Sequence, residues 1–210
     1  MSMRQLVLEI SPPSAPTFES FVTGRNAELL ARLKDLSAGR LAETILYLWG
    51  ERGSGRSHLL GAAVRAAANP GQLVVADDVD CLDTAAQIAL FNRINEAREP
   101  GREPRSTVLA AGSAPPAQLA LRDDLKSRLA WGLVYRVRTL TDAEKATYLR
   151  AEAGRRGLAI ADEVVAYLLT HVRRDLPTLV AILTHLDEYS LSHRRPLTLP
   201  LVREALATLR

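Results

Sequence analysis

The apolar residues of the first 140 positions fall into short unbroken runs, separated by stretches with helical spacing. "ILYLW" (45–49) is continuous and ends at a glycine, which predicts a buried strand feeding a loop. "QLVVADDVD" (72–80) reads as a second buried strand ending in acids, and "STVLAAG" (106–112) as a third. "LVYRVR" (133–138) is a fourth, with alternating polarity. Between them, leucines 29, 30, 33 and 36 make a helical stripe in "NAELLARLKDL", with Asn26 as its cap. "SHLLGAAVRAAA" (57–68) predicts a helix stopped by "NPG", and "TAAQIALFNRINEA" (84–97) a helix capped by Thr84. "LRDDLKSRLAWG" is helical too.

From Thr141 the pattern changes. Thr141 and Glu144 have capping-box spacing, and helices over about 162–172, 176–193 and 199–209 follow without a strand signal. Alternating strands and helices followed by helices alone predict an α/β core with a parallel sheet over 17–139 and a helical unit over 140–210. Residues 1–16, "MSMRQLVLEISPPSAP", combine a short apolar tag with prolines at 12, 13 and 16, and read as a tag on a tether.

Composition changes this picture little. A net charge of +3 over 210 residues permits nucleic acid or an acidic partner and demands neither. The single cysteine, Cys81, excludes an internal disulfide framework and fits a reducing cytoplasm; following an apolar run, it is expected to be buried. No apolar stretch approaches the roughly 20 residues that span a bilayer, so no membrane association is expected. The histidines lack metal-ligand spacing.

Chemistry concentrates at "GERGSGRS" (50–57), which has P-loop spacing with Arg56 where the pattern asks for lysine. A glycine-rich loop between a strand and a helix start aims backbone N–H groups and the positive helix end at a polyanion. Gly50, Gly53 and Gly55 free the backbone, and Arg52, Ser54 and Arg56 add donors. Ser57 offers the hydroxyl that such loops place on Mg2+. About twenty residues later the second strand ends in Asp77-Asp78: Asp77 would hold the magnesium shell, and Asp78 would orient or deprotonate an attacking water. Asp80 and Asp83 read as surface and turn residues. Arginine keeps the charge of lysine but is longer and forked, so nucleotide binding should survive while hydrolysis weakens.

With these residues in view, the chain resembles the AAA+ ATPase domain of the DnaA family, and most of all its small regulatory relatives. "TFESFVTGRNAELL" is similar to a leading segment that in relatives passes beside the adenine, which implicates Val22 and Asn26. "GERGSGRSHLL" is similar to the family's Walker A, with His58 packed behind the loop, and "LFNRINEA" to the helix after Walker B. "LKSRLAWGLVYRV" is similar to the box carrying an arginine finger, here Arg128, followed by Trp131-Gly132. Read without the resemblance, Arg128 would be a surface residue pairing with Asp123 or Asp124. "QLVLEI" is similar to a clamp-binding peptide, implicating Gln5, Leu6, Val7, Leu8 and Ile10; by composition alone it would serve equally as an edge strand.

The resemblance implies an adenine nucleotide, ADP or ATP with Mg2+, between core and helical lid, and partners in DnaA and the DNA-loaded sliding clamp. It implies that Arg128 acts in trans on ATP bound to DnaA, which restrains initiation of replication. An autonomous ATPase or loader acting on DNA, and a nucleotide-independent clamp adaptor, are the alternatives. A helix-turn-helix domain such as follows the lid in DnaA is not expected before the end at Arg210. Three further departures stand beside Arg56. Ser113 occupies the sensor-1 position, where relatives carry Asp or Asn. Pro177 falls where relatives place a sensor-2 arginine, leaving Arg173 and Arg174 one turn earlier. A strand and helix between Walker A and Walker B are missing, which predicts a four-stranded sheet ordered 5-1-4-3 in family numbering.

Overall fold

A computed structural model of the chain describes residues 15–99 and 106–208, so the tag expected at Gln5–Ile10 lies outside the described residues. The chain divides into two compact units, one spanning Ala15–Thr139 and one beginning at Leu140.

The first unit carries α1 (Ala27–Ser37), β1 (Ile45–Trp49), α2 (Arg56–Ala66), β2 (Leu73–Ala76), α3 (Thr84–Ala97), β3 (Thr107–Gly112), α4 (Asp123–Ala130) and β4 (Leu133–Arg136). The four strands form one parallel sheet ordered β2-β3-β1-β4, which is the expected 5-1-4-3 arrangement. Alternation along the central strands builds a core on each face. Leu46, Leu48, Leu109 and Ala111 join α1 and α2, whereas Ile45, Tyr47, Val108 and Ala110 join α3 and α4. The apolar run of β1 is thus explained by burial from both sides.

Three sequence expectations need correction here. β2 is an edge strand and only partly buried, with Val75 37% exposed, because among the described residues no further strand covers its free side. α3 is capped by Asp83, whose carboxylate accepts from the Ala86 amide at 2.8 Å, so Thr84 is its first helical residue instead. Asn26 precedes α1 without capping it: its side chain is spent on Arg138, donating Nδ2–H to the backbone oxygen at 2.9 Å and accepting from the amide at 2.8 Å.

The second unit holds α5 (Asp142–Arg155), α6 (Asp162–His171), α7 (Leu176–His193) and α8 (Leu199–Ala207). α5 opens with the expected capping box: Thr141 Oγ1 accepts from the Glu144 amide, and the Glu144 carboxylate accepts from the Thr141 amide. The helices enclose their own core, centred on Leu149, Leu168, Leu183 and Leu201. A buried carboxylate, Glu152, is matched by Arg155 and Arg156, and Arg156 donates onward to Thr184 Oγ1 at 2.7 Å. Among the described residues no helix is long and apolar enough to cross a membrane.

Candidate functional site

The loop from Gly50 to Gly55 joins β1 to the first turn of α2. Gly53 and Gly55 take left-handed backbone angles, φ +79° and +98°, which L side chains rarely adopt. At Gly55 a Cβ would also lie 2.7 Å from Phe21 Cε2, so the leading segment packs directly on the loop. Gly50 sits where a Cβ would meet the Val137 carbonyl oxygen at 2.6 Å. Ser54 is buried, and its Oγ has no hydrogen-bond partner among the described residues. Arg56 Nη1 is in the same condition. Two buried, unspent donors beside a helix N-terminus are what an entering polyanion would satisfy. Arg52 and Ser57 are exposed.

His58 belongs to the scaffold. Its Nε2 lies 2.9 Å from the Thr17 carbonyl oxygen and 3.1 Å from Ser20 Oγ, and its ring is 5.9 Å from that of Phe21, clipping the leading segment to α2. Val22 is half-buried in that segment. Asn26, whose amide spends its oxygen and one N–H on the Arg138 backbone, positions the segment.

Across the loop stand the acids that follow β2. Asp77 Oδ1 accepts from the Asp78 amide at 2.9 Å. Asp78 is held at φ +43°, a left-handed angle costly for a non-glycine residue, and its Oδ1 accepts from Arg56 Nη2 at 3.3 Å. The two motifs that sequence patterning separates by twenty residues are therefore joined by an ion pair. Asp77 and Ser57 supply one carboxylate and one hydroxyl, a sparse set that suits Mg2+ once phosphates and water complete its shell. No cluster of three metal-binding side chains exists among the described residues.

Asp80 is more than the surface residue expected. Its Oδ1 accepts from the Ser113 amide at 3.0 Å, tying the loop after β2 to the end of β3. Burial works to raise its pKa, but its hydrogen bonds from Asp80's own backbone and from Ser113, with the charge of Arg56, hold the carboxyl below its ordinary value. Ser113 itself, expected at a sensor-1 position, is exposed. Beneath it Tyr47, fully buried in β1, donates to the Ala114 carbonyl oxygen at 2.8 Å; burial, then the Asp80 charge, push its pKa upward. Cys81 is exposed, contrary to expectation, because the chain leaves the sheet at Ala76 and turns outward there.

A second constellation lies on α4. Arg128 does not pair with Asp123 or Asp124, which are taken by Lys126 at 2.7 Å and Arg122 at 2.7 Å. Instead Arg128 Nε donates to Asn95 Oδ1 at 2.7 Å, with its guanidinium 3.6 Å above the Trp131 ring. Arg98 stacks on the same ring at 4.1 Å, and Trp131 remains 51% exposed. Gly132 is required by packing, since a Cβ there would collide with the Ile45 backbone and lie 2.6 Å from Ile45 Cβ. The Trp-Gly pair thus presents an aromatic platform while letting β4 close against β1. Asn95, Arg98 and Phe21 were given no role from the sequence, and Asp80 only a surface one; their partners lie far along the chain.

In the helical unit, Arg173 pairs with Asp175 at 3.2 Å and Arg174 with Asp142 at 3.3 Å, both at the surface. Asp175 caps α7, accepting from the Thr178 amide at 3.0 Å, and Pro177 sits in the first turn, where no amide is needed.

Residues 142–206 match the family described as "Hda, lid domain". Among solved structures, domain III of the Thermotoga maritima replication initiation protein DnaA superposes with a TM-score of 0.70 at 18% identity, covering 93% of this chain and 97% of that one. AMPPCP-bound DnaA from Aquifex aeolicus gives a TM-score of 0.67 at 18% identity, over 87% of this chain and 67% of that one. Thermotoga maritima RuvB gives 0.66 at 12%, over 92% and 72%. These likenesses establish an AAA+ fold of the kind seen in domain III of DnaA, and residues 142–206 match the Hda lid domain family.

Proposed function

We propose that this chain is an Hda-like regulator that binds adenine nucleotide, ADP in its working state, and the DNA-loaded sliding clamp, and that stimulates ATP hydrolysis by DnaA, thereby restraining initiation of replication. The observation that carries this reading is Arg128, stacked on the exposed Trp131 in a chain whose residues 142–206 match the Hda lid domain. A guanidinium held on an exposed platform can be delivered to a neighbour's phosphates, where an arginine finger is worth about 10³–10⁵ in rate.

The loop Gly50–Ser57 would hold the nucleotide's phosphates, with Ser54 Oγ and Arg56 Nη1 as its unspent side-chain donors. Asp77 and Ser57 would share Mg2+ with those phosphates. When bound, the nucleotide supplies a fixed polyanion around which loop, leading segment and acids set. The Gln5–Ile10 peptide would engage the clamp, and that engagement would bring Arg128 to DnaA on DNA. An autonomous ATPase is disfavoured by the Arg56–Asp78 pair, which occupies the acid that would activate water.

The test is reconstitution of ATP-loaded DnaA with the chain, the clamp and DNA, omitting each in turn while phosphate release is followed. Full stimulation is expected only with all components present. Equal release without the chain, or steady turnover by the chain alone, would refute the reading.

A further inference from the structure

The Walker A arginine has divided its two terminal nitrogens between different tasks. Nη2 is committed to Asp78 Oδ1 at 3.3 Å, whereas Nη1 is buried without a partner, as is Ser54 Oγ one turn of loop away. The Arg56 side chain is only 12% exposed, so the pair is anchored on one side in protein. Asp78 is held to it from a left-handed backbone at φ +43°, which a non-glycine residue adopts only where its surroundings impose it. The residue at the Arg56 position of a P-loop serves the β- and γ-phosphates. Its unspent donor can take the first of these without loss. A further phosphate competes with Asp78 for the Nη2 side of the guanidinium and brings more negative charge toward the Asp78 carboxylate. The nearby Asp80 adds like charge, held ionised by its hydrogen bonds from Ser113.

We infer that the Arg56–Asp78 ion pair is a gate on phosphate number: it leaves the cradle open to a nucleoside diphosphate and must break before a triphosphate can seat. This inference rests on the nucleotide-binding reading above and names the residues that set its preference. Breaking a partly exposed pair of this kind is worth on the order of tenfold in affinity, including the uncompensated Asp78 charge.

The test is calorimetric titration of the whole chain with Mg2+ and either ADP or AMPPCP, so that no turnover is needed. The native chain should bind ADP about tenfold more tightly than AMPPCP. In Asp78→Asn the ratio should fall to within about twofold, through tighter AMPPCP binding with ADP little changed. In an Arg56→Ala background, Asp78→Asn should no longer move the ratio, which separates loss of the pair from loss of a charge. Arg56→Gln serves in place of Arg56→Ala should the latter not fold, as judged by its unliganded melting curve. Equal affinities for the two ligands in the native chain, an unchanged ratio in Asp78→Asn, or an Asp78→Asn effect that persists without Arg56 would overturn the gate. Binding of neither ligand to the native chain would instead overturn the nucleotide-binding reading itself.

Discussion

Asn95 accepts a 2.7 Å hydrogen bond from Arg128 Nε, reaching from α3 to α4 to hold a guanidinium that also lies 3.6 Å above Trp131. One nitrogen fixes the side chain and the ring fixes its plane, which leaves the two terminal nitrogens on the far side of the fork for a partner. Orientation, more than charge alone, is what this arrangement supplies.

Asn95→Ala should therefore weaken stimulation of DnaA without touching the finger itself. Loss of a hydrogen bond to a charged group corresponds to about tenfold in rate, measured as phosphate release at saturating clamp. Retention of the full rate would mean that Asn95 does not position Arg128.

The two left-handed glycines predict a graded pair of defects. Gly53→Ala meets nothing within 4 Å and carries only backbone strain, about 1–3 kcal/mol, in chemical unfolding. Gly55→Ala adds a collision with Phe21 Cε2 and should cost more. Phe21→Ala combined with Gly55→Ala should recover the collision part only; full recovery would show that the φ of +98° is not constraining.

Asp80→Asn should destabilise the core unit by about 1 kcal/mol at neutral pH, through the weakened tie to Ser113. The sign of its pH dependence is fixed by the lowered pKa. The carboxylate's contribution is complete above the ordinary value of 3.8 and is lost as pH falls through the lower folded value. The gap between native and Asp80→Asn chains should thus be constant from pH 7 to 5 and close below about pH 4. A gap that widens on acidification would contradict the assignment.

Removing residues 1–10 should abolish the dependence of stimulation on the clamp. Clamp dependence that survives this truncation would remove the Gln5–Ile10 peptide from the account.

The fold was legible because its signals are local. Unbroken apolar runs such as Ile45–Trp49 fit burial on both faces, whereas the four-strand count came from the family resemblance, whose further edge strand has no counterpart in the short stretch before Leu73. The core of the phosphate loop was legible for the same reason, since its glycines are contiguous with their strand and helix. What escaped was set by contacts distant in sequence. Asp80 looked solvated because Ser113 lies 33 positions on, and Asn26 looked like a cap because its true partner, Arg138, is 112 positions away. Cys81 looked buried because strand patterning extended past Ala76, where the edge strand in fact ends. The Arg56–Asp78 pair follows from neither motif alone: it needs the sheet to bring them together.

The central claim is that this chain lends Arg128 to a reaction on a neighbour's nucleotide. Its most direct test is phosphate release from ATP-loaded DnaA, with clamp and DNA present, comparing the native chain with Arg128→Ala at equal nucleotide occupancy. The account predicts that Arg128→Ala still folds and still binds nucleotide and clamp, yet loses stimulation by about 10³-fold or to background. Stimulation by Arg128→Ala within about twofold of the native rate, at matched occupancy, would contradict it.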